Sequence, residues 1–68
     1  MKLYIYDKNG KQIKEVKNVK PHCFKTMLLG SPTRQVLMFK HEHGDGCIDL
    51  INGMTFALYD ERKGKVYG

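Results

Sequence analysis

Pro21-His22-Cys23-Phe24-Lys25-Thr26-Met27-Leu28-Leu29 is the stretch on which the fold class turns. It offers a helix. Proline suits the first helical position, Phe24, Met27 and Leu28 recur on one stripe, and Gly30 can end the element. Ser31-Pro32-Thr33 then breaks the chain. One short helix is therefore expected over residues 21–29.

Outward from that stretch the pattern is one of strands and turns. Lys2–Tyr6 alternates strictly, with Leu3 and Ile5 on one face and Tyr4 and Tyr6 on the other. Asp7-Lys8-Asn9-Gly10-Lys11 reads as a hairpin turn in which Gly10 takes the left-handed position. In the return segment Ile13, Val16 and Val19 recur every three residues, which fits neither a strand nor a helix well. β-Branching favours a strand, and one bulge would restore its inward face. Beyond Pro32, residues 34–43 form a long strand around Val36-Leu37-Met38-Phe39 and turn at Gly44-Asp45-Gly46. Residues 47–51 return, Asn52-Gly53 turns again, and 54–59 form a further strand. The chain turns at 60–64 into a short end at Lys65-Val66-Tyr67. The expected class is α+β: ββα followed by a three- or four-strand meander in a small antiparallel sheet, stapled by a metal site.

The expectation of a staple comes from size. A chain of 68 residues and 7.9 kDa forms one domain, residues 1–68. Below roughly 70–80 residues one core rarely supplies more than about 3–5 kcal/mol, so a metal, disulfides or a partner usually help. All five histidines and cysteines lie between His22 and Cys47, as His22-Cys23 and His41-x-His43-x₃-Cys47. His41 and His43, two apart on a strand, share a face. If Gly44-Asp45-Gly46 is a three-residue loop, Cys47 pairs with His43 and joins them, whereas a two-residue turn would point Cys47 away. Cys23, near the helix start, would reach over and close a Cys₂His₂ zinc site, with His22 as the spare ligand. Such a closed site is structural, because it leaves no position for water. Its spacing matches neither a C₂H₂ finger nor a zinc ribbon. A Cys23–Cys47 disulfide is the structural rival.

Composition bounds the compartment and the partners. No apolar run approaches the roughly 18 residues of a membrane span. Met1-Lys2-Leu3-Tyr4-Ile5-Tyr6-Asp7 has no signal-peptide core, so the expected compartment is a reducing one, the cytoplasm, where cysteine pairs more often hold metal. The net charge is +5, and residues 1–25 hold all of it, with seven lysines against Asp7 and Glu15. Such a surface attracts nucleic acid or an acidic protein face, or serves to keep strand edges soluble. Every basic residue there is lysine, without the guanidinium forks that base reading prefers, so sequence-specific DNA recognition is not expected.

Catalysis finds little support. His41-Glu42-His43-Gly44-Asp45 resembles the His-x-His-x-Asp start of metallo-β-lactamase-type hydrolases, but Gly46 stands where the next histidine belongs and no distal histidine follows. A Cys–His nucleophile pair would lack an orienting group and an oxyanion loop. The expectation is a binding protein rather than an enzyme. Its size, metal-like cluster and lack of an active-site constellation resemble the small phage-encoded inhibitors of CRISPR–Cas nucleases, the metal-containing kind. That resemblance implies a protein partner, a Cas nuclease, whose nucleic-acid target loading is blocked. With a net charge of +5 the protein would not mimic DNA but dock on another lobe. Lys14, Lys17 and Lys20, with Tyr4 and Tyr6, are the expected contacts. The competing expectation is a nucleic-acid-binding module, in which the same lysines neutralise phosphates and Tyr4, Tyr6, Tyr59 and Tyr67 stack on a single strand. Sequence leaves the identity of the partner and the oligomeric state open.

Overall fold

The computed structural model describes residues 1–20 and 23–67, and it consists of strands and turns. Seven strands follow in order: β1 (Lys2–Tyr6), β2 (Gln12–Val16), β3 (Lys25–Leu29), β4 (Arg34–His41), β5 (Gly44–Leu50), β6 (Thr55–Asp60) and β7 (Gly64–Tyr67). They form two antiparallel sheets. Sheet 1 has the order β2-β1-β6-β7, and sheet 2 the order β3-β4-β5. The chain makes a hairpin in sheet 1, crosses to lay down all of sheet 2, and returns to add β6 beside β1.

This corrects the α+β expectation. No helix occurs at Lys25–Leu29, which is strand β3, paired in register with β4 from Lys25 opposite Met38 to Leu29 opposite Arg34. Pro21 and His22 lie outside the described residues. The physical reason is length against neighbourhood. A nine-residue helix falls short of the roughly 12–15 residues at which an isolated helix becomes even marginal. The apolar stripe that would have anchored it is used otherwise: Phe24 packs on Phe56 with ring centroids 5.7 Å apart, while Met27 and Leu28 stay exposed. Val36-Leu37-Met38-Phe39, a strongly β-forming run, offers β3 a full ladder of backbone hydrogen bonds.

Strict alternation in β1 sends Leu3 and Ile5 into the core. There they join Leu58 of sheet 1, Leu37, Phe39 and Leu50 of sheet 2, and Val19 of the crossover. Val19 also explains the three-residue rhythm of the return segment. Ile5 pairs with Lys14 but Tyr6 pairs with Gln12, so Ile13 is the extra residue of a β-bulge. The expected bulge is present, and it puts Ile13 in solvent while Val16 and Val19 turn inward. The crossover ties the layers together through its backbone. Val19 N–H donates to the Met1 carbonyl at 2.8 Å, and Lys20 N–H donates to the Lys40 carbonyl at 2.8 Å. That clamp and the shared core join the two sheets.

Candidate functional site: an aromatic face on the basic sheet

The outward residues of sheet 1 are fixed by the alternation that buries its core. Lys2, Tyr4 and Tyr6 leave β1 on the face opposite Leu3 and Ile5. Across the ladder from β1, Lys2 faces Tyr59, Tyr4 faces Ala57 and Tyr6 faces Thr55 on β6. Tyr4 and Tyr59 are diagonal neighbours, a spacing that long aromatic side chains bridge. Their rings meet edge to face, with centroids 5.4 Å apart. The small Ala57 opposite Tyr4 is buried.

Two shallow clefts meet on this face. One, of about 520 Å³, is lined by Lys2, Tyr4, Tyr6, Gln12, Tyr59 and Glu61. The other, of about 480 Å³, includes Tyr6, Thr55, Ala57, Tyr59 and Lys65 and reaches Phe56 and, on sheet 2, Gln35. Tyr6 and Tyr59 belong to both, so the clefts adjoin, and Lys2 and Lys65 flank Tyr59 from its two neighbouring strands. Partial desolvation, and then the charge of Glu15 opposite it, raise the Tyr4 hydroxyl above its usual range, so it stays protonated at neutral pH.

The surrounding charge is positive. The β1–β2 hairpin and the β6–β7 hairpin, residues 1–16 and 55–67, hold seven Lys and Arg against four Asp and Glu, a net +3. Sheet 2, residues 25–50, holds three basic residues and three acidic ones and is neutral, while Lys17 and Lys20 on the crossover supply the remaining +2. The asymmetry visible along the chain therefore becomes an asymmetry between the two sheets.

The expected contact set is only partly assembled. Tyr4 and Tyr6 stand together, joined by Tyr59. Lys14 faces Ile5 across the ladder and so projects to the other side of the sheet from the tyrosines. Lys17 and Lys20 lie exposed on the crossover, and neither lines the aromatic clefts. Lys2 and Lys65 take that place. Sequence reading finds Tyr4 and Tyr6 from their spacing, whereas adding Tyr59 and Lys65 requires knowing that β6 pairs with β1. The side chain of Tyr67 lies outside the described ones.

The zinc ligand set does not come together. The β4–β5 turn is the two-residue Glu42-His43, with His41 facing Gly44 and Met38 facing Cys47. In a ladder, directly opposed residues share a face and successive residues alternate. His41 therefore lies on the core side with Leu37 and Phe39, and Cys47 lies on the opposite, outer side. His43 sits on the turn, with its ring 5.9 Å from that of His41 and its Nε2 3.3 Å from Glu42 Oε1. Cys23 precedes β3, and β4 intervenes between β3 and Cys47. Both cysteines are free thiols, so the rival disulfide is not formed either. Among the described residues no group of three or more His, Cys, Asp or Glu side chains is placed to hold a metal ion. The spare ligand, His22, lies outside the described residues.

No family model, curated protein or solved structure matches this chain. Among the described residues no helix is long and apolar enough to cross a membrane.

Proposed function

We propose that this is a non-catalytic binding protein whose tyrosine face takes single-stranded nucleic acid. One observation carries the reading: Tyr4, Tyr6 and Tyr59 lie side by side on the sheet that holds +3 of the net charge. Bases stack on aromatic rings without regard to sequence, for about 1–3 kcal/mol each, while lysines follow the phosphates. Here Tyr6 and Tyr59 supply the platform and Lys2 and Lys65 the phosphate contacts. Lys2 and Lys65 are point charges rather than guanidinium forks, which suits recognition of charge rather than of base edges.

A second reading has its own support. Glu15, opposite Tyr4, and Glu61, in the first cleft, place acid beside the aromatics. Mixed charge around tyrosines suits a protein partner, since tyrosine is enriched at protein interfaces. This is the reading that the likeness to Cas nuclease inhibitors favours, with the same face docking on the nuclease.

Titration with short oligo-dT and oligo-U at rising salt separates the two. The chain has four tyrosines and no tryptophan, so tyrosine emission reports stacking directly. The expected result is quenching on binding, an affinity that falls steeply with salt, and a loss of about 5–100-fold in Tyr59→Ala. No oligonucleotide affinity at low salt would overturn the nucleic-acid reading and leave the protein partner.

A further inference from the structure

We propose that β3 is a pairing edge for a second copy of this chain, joining two copies of sheet 2 into one six-stranded sheet about a two-fold axis at Met27. The inference is independent of the ligand assigned to the tyrosine face. Two open sheets leave four edge strands: β2, β7, β3 and β5. Natural edges are protected from pairing by charges set within the strand. Lys14 and Glu15 do this in β2, Lys65 in β7, and Asp45 and Asp49 in β5. β3, Lys25-Thr26-Met27-Leu28-Leu29, has a charge only at its first position and ends in three apolar residues. Those residues are 40%, 72% and 39% exposed, so the strand shows apolar side chains on both of its faces along a free edge. Such an edge offers a row of outward amides and carbonyls to which another strand can add.

A second copy is the strand that fits. Antiparallel pairing about Met27 places Met27 opposite its own counterpart, Thr26 opposite Leu28, and Lys25 opposite Leu29. No like charges face each other. The two Lys25 residues fall about 13 Å apart at a strand rise of about 3.4 Å per residue. That exceeds the roughly 8 Å screening length at physiological salt. The global charge also permits the approach, because the two chains meet through sheet 2, residues 25–50, whose three basic and three acidic residues cancel. A closed two-fold contact of this kind uses the same patch on both partners. One five-residue edge is smaller than a standard interface of about 1,600 Å², so the dimer is expected to be weak and concentration-dependent.

Sedimentation equilibrium on the wild-type chain from about 10 µM to 1 mM tests this, with a dimer expected to appear across that range. Met27→Lys puts two lysines directly opposite each other at the axis, and it should weaken dimerisation at least about tenfold. Because Met27 lies on an exposed edge, the variant keeps its core, and an unchanged melting temperature verifies that. A wild-type chain that stays monomeric up to 1 mM overturns the proposal and leaves the edge to a strand of another protein. A dimer that survives Met27→Lys unchanged overturns the assignment to β3.

Discussion

Gly46 faces Phe39 across the β4–β5 ladder, and a Cβ on Gly46 would run into the outer carbons of the Phe39 ring. Phe39 is a buried member of the core cluster, so the missing side chain gives its ring room over the neighbouring strand. In sequence the same glycine looks like the end of a Gly-Asp-Gly turn, because glycine marks turns and close approaches alike. With Gly46 inside the strand, the turn moves back to Glu42-His43, and the register that would have brought Cys47 to His43 is lost. Gly46→Ala is expected to destabilise the fold by about 1–3 kcal/mol through overpacking against Phe39, measured by urea unfolding. An unchanged midpoint would mean that the ring is free to move aside. Asp60 offers a residue-scale test by pH. The Arg62 backbone N–H, donating to Asp60 Oδ1 at 2.7 Å, and then the Lys63 amide and charge, hold its carboxyl below the usual range against a partly opposing desolvation. A depressed folded value means that the stabilising contribution is present above the unfolded value, about 3.9, and is lost as pH falls through the lower folded one. Asp60→Asn should flatten that part of the acid-unfolding curve while leaving the shape near neutrality unchanged.

Among the elements, β1 was readable from its alternation alone, and the turn at Gly10 from its left-handed glycine, with φ of 82°. Asn52 and Gly53 both take positive φ, as an Asn-Gly turn requires. β3 was not readable. Its apolar spacing fits a helical stripe, and only the presence of β4 alongside decides for a strand. The metal set failed at this same scale. His41 and His43 do lie near one another, but through the turn on which His43 sits rather than through a shared strand face, and Cys47 is separated from His41 by the thickness of a sheet. A folding role for zinc bound by Cys23, His41, His43 and Cys47 would therefore require a different β4–β5 register. Excess chelator is expected to leave the melting temperature of the purified protein unchanged. A drop of several degrees would show that a bound metal contributes to folding and that the hairpin is paired differently in solution.

For the whole molecule, the charge imbalance between the two ends of the chain was visible in sequence, but its placement was not. Lysines clustered in residues 1–25 meet Arg62, Lys63 and Lys65 on sheet 1 only because β6 returns to β1. The tyrosine face is assembled by the same return, since Tyr4 and Tyr59 meet across that ladder. The β1–β6 pairing has a further consequence, in time rather than in space. Leu3 lies opposite Leu58, so the strand nearest the start of the sequence is completed by one near its end. The first hairpin can close through local contacts within microseconds. Its apolar side, with Leu3 and Ile5, then has to wait for the far segment to arrive, and such distant pairings are the slow ones. A growing chain would carry that hairpin with its apolar side uncovered until β6 had been made, and sheet 1 would be the last layer to close.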